Sequence, residues 1–385
     1  MIRSKLPSIG TSIFSVMTDL ASQHNAVNLS QGFPDFSVSD KLINLVTTYM
    51  KNGYNQYAPM PGIIELREKI AEKFFNLYNY NYNPDTEITI TSGATQAIYA
   101  TISALVQEGD EVIIIEPAYD SYVPAVRMAG ATPVFIQMKY PEFKIEWNDL
   151  NRAINSRTKL IIINTPHNPS GSVLSTEDME KLQKTISSSK IMVLSDEVYE
   201  HIVFDGYEHQ SVARFPHLAE RSIIVGSFGK LFHATGWKTG YCLAPAEMMK
   251  EIRKIHQFMV FCVNTPIQYA LAEFLKNSDT FLHLPAIFQE RRNYFGHLLN
   301  NSLYKLTPSA GTYFQIIDYS AISDEQDVDF AIRLVKDFGV AAIPLSVFYR
   351  EKPKVNLLRV CFAKSNETLN AGVAQLLKAQ EKLKA

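Results

Sequence analysis

The sequence predicts an α/β protein: a mostly parallel central sheet flanked by helices, joined to a smaller α+β unit. Three observations predict it. First, five short runs rich in β-branched residues are nearly free of charge: EITIT from Glu87, EVIII from Glu111, KLIIIN from Lys159, KIMVLS from Lys190 and SIIVG from Ser222. Unbroken apolar runs suit strands covered on both faces, as in a parallel sheet. Second, helical patterns lie between several of them, and alternation of strand and helix is the mark of an α/β domain. Third, each run is followed by a polar cluster: SGATQ, EPAYDSY, TPHNPSG, DEVYEH and SFGK in turn. Ligands of open α/β sheets bind beyond the carboxyl ends of the strands, so these five clusters are expected to converge on one edge.

The elements follow in chain order. The first 40 or so residues hold no long buried-type strand and are expected to pack against the C-terminal module. After EITIT, the stretch TQAIYATISALVQEG reads as a helix entered through a tight turn. STEDMEKLQKTISS reads as another, with Ser175 as N-cap and Asp178 three residues on, close to a capping box. Beyond about residue 275 come a helix and then GTYFQIIDY, GVAAIPLSVFY and VNLLRVCFAK, the pattern of an α+β module. The expected division is therefore 41–275 for the large domain and 1–40 plus 276–385 for a discontinuous small one.

Composition narrows the function. At roughly 150 residues per domain, 385 residues suggest two or three domains. With 46% hydrophobic and 20% charged residues and a net charge of −2, the chain is globular and not a partner for nucleic acid or an anionic membrane. Cys242, Cys262 and Cys361 lie far apart with no CxxC pair, which argues against zinc and disulfide frameworks and for a reducing compartment. MIRSKLPSIGTSIF has no apolar run of signal-peptide length, and the uncharged stretches Ile88–Gln107 and Ile255–Ala272 are too polar or broken to span a bilayer. A cytoplasmic protein is expected.

The polar clusters carry the chemistry. Gly93, Ala94 and Thr95 stand at a strand-to-helix turn, where free amides and the positive helix end attract an anion. Ser227 and Lys238, from GSFGKLFHATGWKTG, add a hydroxyl and a cation. Asp196 ends a strand and can hold a protonated heterocyclic nitrogen, while Asn168 and Tyr199 can donate to a phenolate oxygen. Taken singly, each has a plainer reading as a turn, cap or core residue; together on one edge they do not. Lys230 lies among glycines, hydroxyls and aromatics. Partial burial and a nearby cation, with Lys238 the candidate, would lower its pKa from about 10.4 and make it a nucleophile. Pyridoxal phosphate carries an aldehyde, a ring nitrogen, a phenolic oxygen and a phosphate to match these groups.

With those residues in place, the chain resembles the fold type I, pyridoxal-phosphate-dependent class I aminotransferases over nearly its full length, nearest the bacterial methionine aminotransferases and the kynurenine and glutamine transaminases of the same branch. The segments LSQGFPDF, NQYAPMPG, TSGATQA, EPAYDSY, NTPHNPSG, SDEVYEHI, SFGKLFHATGWKTGY and LLRVCFAK carry the likeness. The resemblance implies that Lys230 condenses with the cofactor aldehyde and that Asp196 pairs with the ring nitrogen. Asn168 and Tyr199 would bond the phenolic oxygen, and Tyr119 would stack on the ring. Ala94, Thr95, Ser227 and Lys238 would hold the phosphate, with Tyr57 reaching the phosphate of a neighbouring subunit, so that a homodimer shares the site. Arg359 would clamp the substrate carboxylate near the Gly32 backbone. Phe14, Tyr119 and Phe261 could line a side-chain pocket; His167 and His233 are read without a metal role. Lys238 stands where some relatives have arginine, and NPSG replaces the commoner NPTG.

The reading is an aminotransferase that takes the amino group of an L-amino acid, methionine-like or aromatic, and passes it to a 2-oxo acid in ping-pong fashion. No second arginine in a recognisable motif is set for a side-chain carboxylate. The rivals are a kynurenine or glutamine transaminase with β-lyase activity on cysteine conjugates and, more remotely, a non-catalytic ligand-binding protein on the same fold.

Overall fold

In the computed structural model, which describes residues 2–7 and 9–384, seven strands form the central sheet. They follow β1 (Val27–Asn28) and are β2 (Ile88–Thr91), β3 (Glu111–Glu116), β4 (Thr132–Gln137), β5 (Thr158–Asn164), β6 (Met192–Asp196), β7 (Ser222–Ser227) and β8 (Gly240–Leu243). Their order is β2-β8-β7-β6-β5-β3-β4. β8 runs antiparallel to both its neighbours and the other pairings are parallel. The five runs read from sequence are β2, β3, β5, β6 and β7. β4 and β8 are additions. β4 is an edge strand, only partly covered and carrying Pro133; an edge strand tolerates the missing N–H, and the proline hides the pattern. β8 is four residues without a β-branched side chain, wholly buried and paired on both edges by β2 and β7.

The parallel register brings the chemistry to one edge. Asn164 pairs with Asp196, and Asp196 with Val225, so the ends of β5, β6 and β7 stand side by side. Ser227 and Thr91 both pair with Gly240, which places the end of β2 in the same row. Helices cover the sheet. Thr176–Ile186 opens with the expected capping box: Ser175 Oγ accepts from the Asp178 N–H at 3.2 Å, and the Asp178 carboxylate accepts from the Ser175 N–H at 3.0 Å.

The chain ends meet. β9 (Phe314–Asp318), β11 (Ile343–Pro344) and β12 (Leu357–Cys361) form an antiparallel sheet with β12 in the middle. β1 pairs in parallel with β10 (Val340–Ala341), Val27 opposite Val340, which joins the N-terminal segment to the C-terminal module. No helix among the described residues is long and apolar enough to cross a membrane.

Candidate active site

One cleft at the strand ends is lined by Gly93, Ala94, Thr95, Tyr119, Asn168, Asp196, Tyr199, Ser227, Lys230 and Lys238, together with Asn164 and Thr235. Every cofactor-binding residue read from the sequence is therefore in this one space except Tyr57.

Lys230 sits on the short helix Phe228–Leu231, straight after β7. Its Nζ donates to the Gly32 carbonyl at 3.1 Å and to the Tyr313 hydroxyl at 2.8 Å. Burial lowers its pKa to about 8, helped by Arg359 and Lys238 and opposed by Cys361 and Asp196. Lys238 does act in the expected direction, but burial is the larger cause and Arg359 stands ahead of it.

Asp196 is buried at the end of β6. Its hydrogen-bond partners are neutral: the Tyr122 hydroxyl at 2.6 Å and the Val198 N–H at 3.4 Å. Burial pushes its pKa up to about 6 against those bonds. A second row of amides supports it, with the Asn164 side chain donating to the Asp196 carbonyl at 2.8 Å and accepting from the Asn168 N–H at 2.8 Å. Tyr199 is buried, its ring 5.1 Å from that of Tyr313 and nearly perpendicular to it. Burial raises the pKa of its phenol, which keeps it a hydrogen-bond donor at neutral pH. The Tyr119 phenol is likewise raised by burial, and it meets the Thr95 side chain.

Gly93 opens the helix Gly93–Leu105 with φ +76°, and an added Cβ there would come within 3.4 Å of Lys238 Nζ. The amides of this turn and the Lys238 cation thus face one small space, the arrangement a phosphate dianion needs. A buried carboxylate with only neutral partners, an amine of lowered pKa and this cradle match the ring nitrogen, aldehyde and phosphate of pyridoxal phosphate. The residues present fit that group.

Arg359 lies in the middle strand β12 and is 1% exposed. Its guanidinium donates to the Asn168 side-chain oxygen and the Ser30 carbonyl, both at 2.9 Å, while its buried Nε has no partner. Phe314, Phe14 and Phe348 surround it, their ring centres 3.9, 5.0 and 5.4 Å away. Burial lowers its pKa to about 10, so it stays charged at neutral pH. Gly32 is crowded by a neighbour: an added Cβ would lie 2.7 Å from the Phe314 ring.

Tyr57 is outside the cleft of its own chain. It is 84% exposed and stacks edge-on against Phe261 at 5.4 Å. Phe261, read as a side-chain pocket residue, is likewise away from the cleft-lining set. His167 is buried and bonded to Ser170 Oγ at 2.7 Å, and burial drops its pKa to about 3; His233 falls to about 4 for the same reason. Among the described residues no cluster of three or more His, Cys, Asp or Glu could hold a metal ion. Sequence reasoning missed Tyr122 and Tyr313. Each lay inside a quoted segment, EPAYDSY and GTYFQIIDY, beside residues that drew attention first.

Comparison with known proteins gives the chain's relatives. The sequence model of the family Aminotransferase class I and II matches residues 24–376. Methionine aminotransferase of Escherichia coli (strain K12) is 47% identical over 375 residues, 97% of each chain. Kynurenine–oxoglutarate transaminase 1 of Homo sapiens is 35% identical over 387 residues, 91% of this chain and 92% of that one. The crystal structure of YbdL from Escherichia coli, described as having a methionine aminotransferase function, superposes with a TM-score of 0.96 over 98% of this chain and 99% of that one, at 47% identity.

Proposed function

The chain belongs to the aminotransferase class I and II family, whose members depend on pyridoxal phosphate, and from that membership we propose that it moves the amino group of methionine, or of a similarly bulky apolar or aromatic L-amino acid, to a 2-oxo acid. The observation that carries the substrate class is the cage of Phe14, Phe314 and Phe348 around Arg359. The only cations lining the cleft among the described residues are Lys230 and Lys238. A substrate whose carboxylate takes Arg359 meets aromatic surface around it.

The bound cofactor supplies an electron sink for the pair left when the substrate's α-proton departs. In this reading Lys230 is the amine that would bond the cofactor and, when free, would carry that proton. Asp196 would pair with the ring nitrogen and favour its protonated form. Asn168 and Tyr199 donate to the phenolic oxygen, and Tyr119 covers the ring. The amides of Ala94 and Thr95, with Ser227 and Lys238, hold the phosphate. Arg359 presents a planar fork to the α-carboxylate, and the segment around Gly32 closes the other side. Tyr57 serves the site of a second copy, which makes the working unit a homodimer. The reading also takes 41–275 as the large domain, 1–40 with 276–385 as the small one, and the cytoplasm as the compartment, consistent with three free cysteines.

The test is a set of half-reactions with all common amino acids and kynurenine, followed by loss of the cofactor's aldehyde absorbance. Methionine is expected among the fastest donors and aspartate among the slowest. A decisive preference for aspartate removes the reading. A decisive preference for kynurenine transfers the assignment to the kynurenine and glutamine transaminases, the second reading that the aromatic cage also suits.

A further inference from the structure

Three groups from distant parts of the chain meet at the Lys230 amine. The Tyr313 hydroxyl donates to the Gly32 carbonyl at 2.6 Å, and Lys230 Nζ donates to both oxygens, at 2.8 and 3.1 Å. The direction of these bonds is informative. The Gly32 carbonyl can only accept, and the Tyr313 oxygen, whose own proton can go to Gly32 or to the neighbouring Tyr199 hydroxyl, keeps lone pairs for Lys230. Two acceptors and no donor favour an ammonium over a neutral amine. The Tyr199 and Tyr313 ring centres lie 5.6 and 5.4 Å from the same nitrogen, a further contact that suits a cation.

We propose that Tyr313 and the Gly32 carbonyl form a docking station for the protonated, unbonded Lys230, making Tyr313 a positioning residue of the amino-transfer reaction. The proposal rests on Lys230 being the cofactor-bonding amine. That lysine spends part of each cycle free, and on taking the substrate's proton it becomes a cation inside a protein-lined cleft. Desolvation, Arg359 and Lys238 oppose that charge, while Asp196 and Cys361 favour it. The station adds two hydrogen bonds on the favourable side and fixes where the charged nitrogen rests. Ser30, two residues from Gly32, gives its carbonyl to Arg359. One N-terminal turn therefore holds both the free lysine and the guanidinium proposed to bind substrate.

The experiment is trace acetylation of Lys230 with acetic anhydride across pH, quantified by mass spectrometry. It is run on the cofactor-free full chain and on enzyme loaded with pyridoxamine phosphate, in both of which Lys230 is unbonded. Tyr313→Phe keeps the ring contacts with Tyr199, Phe288 and Phe314 and removes the hydroxyl. Loss of an acceptor from the cation lowers the lysine pKa, so the reactivity midpoint is expected to fall by about one unit, a tenfold change in the protonation equilibrium. The acid limb of the kcat profile is expected to move to lower pH with it. An unshifted or raised midpoint overturns the station, and so does a variant that loses only thermal stability. Should Tyr313→Phe fail to fold, a crystal structure of the unchanged protein loaded with pyridoxamine phosphate decides: Lys230 Nζ within hydrogen-bonding distance of the Tyr313 hydroxyl and the Gly32 carbonyl upholds the station, and the amine turned away from both overturns it. Borohydride trapping separates this from the underlying reading: a cofactor bonded to some other lysine sinks the assigned role of Lys230, whereas an unmoved titration sinks only the station.

Discussion

At the residue scale, burial without full compensation sets the properties of the site. Asp196 is the clearest case. Its carboxyl, raised to about 6, keeps in the folded cofactor-free chain a proton that the unfolded chain releases near pH 4. Its contribution to stability therefore falls as pH rises from about 4 to 6, and above that it is a standing penalty of at most about 3 kcal/mol. Asp196→Asn is expected to leave the thermal midpoint of cofactor-free protein nearly unchanged at pH 4 and to raise it at pH 7, while slowing amino transfer about 100-fold or more. A variant destabilised equally at both pH values would contradict this. For Arg359, the proposed clamp of the substrate carboxylate, lysine would offer a point charge in place of a planar fork. Arg359→Lys is expected to raise KM for every amino acid by about tenfold or more, read from initial rates; unchanged KM would place the carboxylate clamp elsewhere.

At the element scale, the turn after β6 is fastened from behind. Buried Lys73, on the helix Ile64–Tyr78, pairs with Glu200, and the Tyr78 and Tyr241 hydroxyls donate to the same carboxylate at 2.9 and 2.7 Å. Burial would raise the Glu200 pKa, but Lys73, His201 and these bonds together hold it low, so it stays ionised. The network ties a flanking helix and β8 to the turn that carries Asp196 and Tyr199. Lys73→Met strands a buried charge and is expected to cost about 3–5 kcal/mol, seen as a large drop in thermal midpoint, part of which Glu200→Gln restores in the double variant. Near-neutral behaviour of Lys73→Met would mean that the pair is dispensable. Nothing in the sequence joined Lys73 to Glu200, since 127 positions separate them. The capping box at Ser175, by contrast, was readable because its partners are three residues apart.

At the scale of the whole molecule, the site is assembled from both chain ends and from the middle. Gly32 and Arg359 arrive through the N-terminal segment and β12, Lys230 and Asp196 through the central sheet. What one chain leaves unused is exposed aromatic area: Tyr57 is 84% exposed with half-exposed Phe261 against its ring, and Phe258, three residues before Phe261, is 86% exposed. Apolar area of this kind marks a contact surface. Sedimentation is expected to give about twice the 43.5 kDa of the chain, and Tyr57→Phe to weaken cofactor binding about tenfold by losing one bond to a phosphate. A fully active monomer would refute the shared site. The sequence by itself determined the fold class, the five polar clusters and most of the groups facing the cleft, because strand periodicity and the residue types that end each strand are local properties. Only the tertiary structure decided which acceptors face Lys230, that Tyr122 holds Asp196 and Phe314 dictates Gly32, and where the two short or edge strands lie. Burial and the approach of side chains distant in sequence depend on how the whole chain packs, and no short stretch of residues encodes them.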